Sequence, residues 1–377
     1  MYISQLRLLN FRIYQQAEID LLPGVNLVLG ANGGGKTSLL EAIATLALTR
    51  SPRSGSIADF AAWDHDDMGV SATLSASSGQ VALEFKATRQ PDGQRWVRRL
   101  RLDGQPAASR QMLGKLGVVL FWPEDLLLIK GGPEPRRRML DVVLSQLSPQ
   151  YAESAVRYRR AIEHRNAVLR GMREGTASGS DLAPWNEALT TYGSELMEAR
   201  SGYLQQAGPV AAEAAAGMGE RGEVELTYRP GLGGLSSGPG AEFGELLRSA
   251  MAQREVEEIA RGQSVIGPHR DDFEVSLAGW PARQFASQGQ QRSLVLALKV
   301  AEVRRHMLDR GMAPVLLLDD VLSELDRVHR TGLIGLLSSG LHVEQTLITA
   351  TEEQGITDAV PVAQVLDVTH GRAEARS

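Results

Sequence analysis

The chain has 377 residues, more than one typical domain length, and its 43% hydrophobic and 23% charged residues suffice to bury a real core. Its formal net charge of −5 speaks against blanket coating of nucleic acid and leaves room for a local basic surface. There is no cysteine, which excludes disulfides, thiolate metal sites and cysteine catalysis and fits a cytoplasmic location; no apolar run approaches the roughly 18 residues that span a bilayer.

Residues 1–7 lack a signal-peptide core and read as a first strand. Residues 25–29 read as a buried strand and 37–48 as a helix. Between them runs Gly30-Ala31-Asn32-Gly33-Gly34-Gly35-Lys36-Thr37, followed by Ser38, which fits the Walker A pattern. Its glycines let successive amides curl around a phosphate, Lys36 bridges the β- and γ-phosphates, and the Thr37 hydroxyl ligates magnesium. The helix amino terminus adds partial positive charge. ATP with Mg2+ is therefore the expected cofactor. Beyond lies a polar loop, Ser51-Pro52-Arg53-Ser54-Gly55, then alternating strands at 70–74 and 81–88 and a hairpin around 96–104. Residues 118–121 form a buried strand ending at Trp122-Pro123-Glu124-Asp125.

After Pro133 and Pro135 the texture turns helical, from about 136 to 217, with a tip at 175–180. Two helices joined by that tip predict an antiparallel hairpin. Between 136 and 174 nine arginines face only Asp141, Glu153, Glu163 and Glu174, so Arg157, Arg159, Arg160 and Arg165 are candidates for DNA phosphates; the alternative is a solvated helical face. Residues 224–228 are strand-like, 231–240 form a glycine-rich loop, and the globular pattern returns near Arg254. The expected organisation is α/β: a P-loop head of mixed sheets and helices at 1–135 and 254–377, with an inserted mainly helical arm at 136–253.

Two further motifs narrow the class. Ala286-Ser287-Gln288-Gly289-Gln290 precedes a helix over 292–310 that stops at Gly311, with Pro314 beyond. A serine and a glycine at a helix start suit a phosphate, although Ser287 could serve only as a cap. Val315-Leu316-Leu317-Leu318-Asp319-Asp320 then has the form of a Walker B strand. In this context the pentapeptide resembles the signature motif of ABC-type ATPases. That resemblance implies ATP sandwiched between two copies, Ser287, Gly289 and Gln290 being offered to the partner's nucleotide. Asp319 would hold magnesium with Thr37, Asp320 would orient the attacking water, and residues 323–326 would form the D-loop. Aspartate reaches less far than the glutamate many relatives use, so slow hydrolysis is expected. Thr349 or Thr351 should reach the γ-phosphate where transporter ATPases usually have a histidine. Glu124 or Asp125 stands where a glutamine usually follows.

Six runs, at 9–14, 30–37, 121–126, 131–138, 267–272 and 287–292, are together similar to the successive motifs of the RecF recombination-mediator family. The most specific is Gly267-Pro268-His269-Arg270-Asp271-Asp272. By analogy with SMC-like heads, Arg12 would approach the nucleotide phosphates. The resemblance implies a weak, DNA-stimulated ATPase that dimerises on ATP, binds duplex DNA near single-strand junctions, and works with RecR and RecO to load recombinase during repair and replication restart. A transporter ATPase and an SMC-like clamp are the alternatives. The missing histidine opposes the first; an arm helix over 136–174 of at most about 58 Å opposes the second.

Overall fold

The computed structural model describes residues 1–376 except 78, 92, 94, 235–241, 322–329, 333–334, 336–342, 354–355 and 358–359. The chain divides into two compact units. One comprises Met1–Leu126, Glu213–Glu220 and Ser287–Ser377, the other Leu127–Ala212 and Arg221–Ala286.

In the first unit, β1 (Tyr2–Phe11) and β2 (Tyr14–Asp20) form a hairpin. β3 (Gly24–Leu29) leads through the phosphate loop into α1 (Lys36–Leu48). β4 (Asp67–Ala76), β5 (Gly79–Arg89), β6 (Trp96–Leu102) and β7 (Gln105–Pro106) extend the first hairpin into an antiparallel sheet ordered β2-β1-β4-β5-β6-β7. Leu6, Leu8, Val70, Ala72, Leu83 and Phe85 alternate into its buried face. After the single turn α2 (Ser109–Met112) comes β8 (Val118–Phe121), buried at every position.

The second unit opens with α3 (Leu127–Lys130) and α4 (Pro133–Leu147), followed by α5 (Pro149–Arg173) and α6 (Gly179–Gly217), whose residues from Glu213 on belong to the first unit. Residues 136–174 are thus not one helix. Ser148 is extended, caps the Tyr151 amide, and precedes Pro149 at the first helical position, so the chain stops and restarts there. α6, by contrast, runs through Pro184 and Pro209. β9 (Val224–Arg229), α7 (Phe243–Arg261), β10 (Asp272–Leu277), β11 (Trp280–Pro281) and α8 (Ala282–Phe285) complete the unit, with the three strands ordered β11-β10-β9. The division expected at 135/136 and 253/254 therefore falls at 126/127 and 286/287, because α7 and the small sheet pack with the arm helices.

Buried charge organises this second unit. Arg165 donates to Glu258 at 2.6 Å, Asn186 at 2.6 Å and Ser264 at 2.8 Å. Arg200 donates to Asp271 at 2.7 Å, Asp141 at 2.8 Å and the Pro268 carbonyl at 2.7 Å, while Arg136 forks onto Asp272 at 2.6 and 2.9 Å. The 267–272 run is the hub of this network. Gly267 sits at φ +127, and a Cβ there would fall 2.3 Å from the Tyr158 hydroxyl, so only glycine fits.

The chain then returns to the first unit through α9 (Gln288–Arg310), β12 (Val315–Asp319), β13 (Gln345–Ala350), β14 (Val362–Thr369) and β15 (Arg372–Ala375). The second sheet is ordered β15-β14-β3-β13-β12-β8, parallel except for β15. Strands β13, β12 and β8 are buried at every position, as strands covered on both faces must be, and β13 carries Gln345, Thr346 and Thr349 as buried polar groups.

Candidate nucleotide site

Strand register alone assembles the candidate site. Val28 pairs with Thr349 and Thr349 with Asp319, while Leu318 pairs with Phe121. The carboxyl ends of β3, β13, β12 and β8 thus bring the phosphate loop, Thr349, Asp319 and Trp122 to one edge, where open parallel sheets bind ligands. Residues nearly a whole chain apart in sequence meet there: the Thr37 hydroxyl lies 2.8 Å from Asp319 Oδ2 and 3.1 Å from Oδ1.

The loop itself is clamped by its neighbours. Gly35, the residue before α1, has φ +117, and its carbonyl accepts from the buried Tyr14 hydroxyl at 3.0 Å. The amide of Gly371, in the β14–β15 turn, donates to the Gly34 carbonyl at 3.3 Å. Ala31, Asn32 and Gly33 are exposed at the tip, and Thr37 and Ser38 are half-buried in the first helical turn, whose amides have no intrahelical acceptor. Lys36 is buried, with Nζ donating to the carbonyls of Gly30 at 2.6 Å and Ala31 at 3.1 Å. Burial lowers its pKa, against the opposing pull of Asp320 and Asp319.

Asp319 is shifted the other way. Burial raises its pKa, and hydrogen bonds from Thr349 and Thr37 and the charge of Arg53 counteract this. Asp320 adopts a left-handed φ of 51, uncommon for a residue other than glycine, and its amide donates to the Thr349 hydroxyl at 2.9 Å. The residues present fit a magnesium ion. One hydroxyl and one carboxylate are hard oxygen donors already side by side, and this ion takes few protein ligands and keeps its waters and phosphates.

Several expected roles come out differently. Thr349 is fully buried, and its hydroxyl donates to Asp319 Oδ1 at 2.8 Å, which ties it to the acidic pair; Thr351 is exposed. Arg12 does not point at the phosphate loop with a free fork. It pairs with the fully buried Glu41 of α1 through Nε at 3.0 Å and Nη2 at 2.8 Å, and also donates to the Asp59 carbonyl. Asp125 is locked by the Trp122 amide at 2.9 Å and by Lys299 at 3.4 Å, leaving Glu124 as the exposed acid. Arg165 is withdrawn from any DNA surface: it is 0% exposed and bonded to Glu258. Arg157, Arg159 and Arg160 are exposed.

Ser287 is the N-cap of α9. Its hydroxyl accepts from the Gln290 amide at 3.3 Å, and the Gln290 side chain accepts from the Ser287 amide at 2.9 Å, a reciprocal capping box. Ser287 is exposed and Gly289 half-buried. The expected D-loop, residues 323–326, lies outside the described residues. Sequence reasoning missed Arg53 altogether. Its guanidinium lies 5.8 Å from the Trp122 ring centroid and 3.8 Å from Glu124, and its charge reaches Asp319. The only available signal was an arginine in the polar loop after α1.

A phosphate loop on β3, an acidic pair ending β12, a capped signature helix and a second unit inserted between β8 and α9 define an ATPase head of the ABC and SMC class. The family model of the RecF/RecN/SMC N terminal domain matches residues 2–374. The DNA replication and repair protein RecF of Chloroflexus aurantiacus is 39% identical over 93% of this chain and 94% of its own, and that of Moorella thermoacetica 38% over 93% and 90%. The chain belongs to the RecF family of DNA replication and repair proteins. A structure of the recombination mediator protein RecF-ATP in the RecFOR pathway superposes with a TM-score of 0.89 at 27% identity, covering 100% of this chain and 98% of that one. An Smc head bound to the C-winged helix domain of ScpA shares the fold, with a TM-score of 0.56 at 16% identity over 100% and 98%. Among the described residues no helix is long and apolar enough to cross a membrane.

Proposed function

We propose that the chain is an ATP-dependent, DNA-binding recombination mediator in which two copies close on ATP. The observation that carries the nucleotide reading is the 2.8 Å contact between Thr37 and Asp319, which joins the phosphate loop to the β12 carboxylate. The ATP carried by a RecF structure supports it. Gly30 to Ser38 would cradle the phosphates, with Lys36 swinging from its two carbonyls onto them. Magnesium, held by Thr37 and Asp319, would supply charge neutralisation between the β- and γ-phosphates. Asp320, displaced from the strand by its left-handed backbone, would orient the attacking water. Its short side chain would make hydrolysis slow; turnover would reset binding, and DNA would stimulate it.

The exposed Ser287 and the half-buried Gly289 and Gln290 stand at a helix start, suited to the phosphates of a partner's ATP. One phosphate loop and one signature per chain then require a homodimer. The exposed arginines of α5 would take duplex DNA near a single-strand gap. RecR and RecO are the protein partners that membership of this family suggests, helping to load recombinase at gaps and stalled forks.

Sedimentation with and without ATP and duplex DNA tests the reading on wild type, Lys36→Ala, Ser287→Arg and Asp320→Asn. Dimers should require ATP in wild type, vanish in the first two variants and persist in the third. ATP-independent dimers in all four would refute it.

A further inference from the structure

The seam between α5 and α6 carries a pattern that phosphate contact does not use. Arg157 lies over the ring of Tyr192, 5.5 Å from its centroid, and donates to its hydroxyl at 3.2 Å. Further along, the rings of His164 and Trp185 stack 4.6 Å apart at an interplanar angle of 11°. On each helix the two positions are seven residues apart, which separates the pairs by about 10 Å. Arg160, three residues from Arg157 and four from His164, shares that face. Arg157, Arg160 and His164 are exposed, and Trp185 and Tyr192 are half-buried. Glu153, which pairs with Arg157, and the exposed Glu163 border the face.

We infer that this seam is a stacking platform for unpaired bases of single-stranded nucleic acid, with Trp185 and Tyr192 as base contacts and Arg160 beside the phosphates. Each aromatic ring is backed by a planar cationic or imidazole group. Such a pair resists displacement, and the exposed Arg157 and His164 add further planar groups beside the half-buried rings on which a base can stack. Duplex DNA hides its base faces in the stack, so only a single strand can use two ring platforms at this spacing. Aromatic rings interleaved with arginines bind single strands with little sequence preference, since every base has a π-face. The inference rests on the reading of the arm as a DNA surface, and adds that its α5–α6 flank takes the unpaired side of a junction.

The test compares binding of a short fluorescent oligothymidylate with that of a blunt duplex of equal length. The proteins are wild type, Trp185→Leu with Tyr192→Leu, Trp185→Phe with Tyr192→Phe, and Arg160→Gln. The leucine pair should lose about tenfold or more in single-strand affinity, with duplex affinity kept within about twofold, and the phenylalanine pair should retain binding. Oligothymidylate should also quench Trp185 emission, a component absent from Trp185→Phe. Unchanged single-strand affinity in a folded leucine pair, or parallel loss of both ligands, overturns the inference. Should the leucine pair not fold, the absence of Trp185 quenching at saturating oligothymidylate overturns it equally. Duplex affinity unmoved by Arg160→Gln, with the stacking results intact, would sink only the duplex reading.

Discussion

At the scale of single residues, the site depends on backbone conformations that few side chains permit. A Cβ on Gly35 would sit 2.9 Å from both Ile13 Cδ1 and the Tyr14 hydroxyl, and its φ of +117 is itself closed to other residues. Gly35→Ala should therefore abolish nucleotide binding, whereas Tyr14→Phe removes one hydrogen bond and should cost about 1 kcal/mol with the loop intact. Thermal melts and titration with a fluorescent ATP analogue separate the two. Thr349→Val should act through Asp319. It leaves a buried carboxylate oxygen and the Asp320 amide without the hydroxyl, a loss of about 1–3 kcal/mol, and should weaken magnesium-dependent nucleotide affinity more than magnesium-free affinity. The loop was legible in the sequence because its chemistry is local: glycines, a lysine and a threonine at fixed spacing. The role of Thr349 was not, because it follows from the register of β13 on β12. Arg53 was invisible for the same reason, since nothing local says where the loop after α1 folds back.

At the scale of elements, helical phase decides what each arginine of α5 does. Arg160 and Arg165 look alike in sequence, yet one is exposed and the other holds α5 to α7 through Glu258, 0% exposed on both sides. Arg165→Ala strands a buried carboxylate and should cost about 3–5 kcal/mol in a urea melt. Arg160→Gln, at the surface, should stay within about 0.5 kcal/mol and lower DNA affinity by reducing the salt slope by about one. A comparable melting loss in both variants would contradict the burial that separates them. Helical texture in the arm was readable, but the expectation of one helix over 136–174 overlooked the break at Ser148-Pro149, a cap followed by a proline at the first helical position. The inclusion of β10, β11 and the end of α7 with the arm was not readable, because it rests on long-range pairings such as Val275 with Leu226 and Arg165 with Glu258.

Across the whole molecule, buried titratable groups set opposite pH dependences in the two units. In the second unit, burial pushes His269 from 6.5 down to about 4, and the nearby Arg270 and Arg137 add to the shift. The neutral ring bonds with the Tyr158 hydroxyl at 2.8 Å and the Ser264 carbonyl at 3.2 Å. In the first unit, burial pushes Glu302 from 4.5 up to about 7; Lys299 opposes the shift and Asp125 reinforces it. The signs follow from proton counting. Below pH 6.5 the unfolded chain takes up a proton that native His269 refuses until about 4, so its contribution is full above 6.5 and lost as pH falls. Between 4.5 and about 7 native Glu302 keeps a proton that the unfolded chain has released, so its contribution is lost as pH rises. Each proton changes stability by about 1.4 kcal/mol per pH unit at most. Wild type should therefore lose ground to His269→Gln as pH falls from 6.5, and gain ground on Glu302→Gln as pH falls from about 7. Urea melts of the three proteins across this range, read by emission from Trp185 in the second unit and Trp122 in the first, should give stability differences that slope in opposite directions. Parallel slopes would mean that the two groups do not titrate as their burial requires.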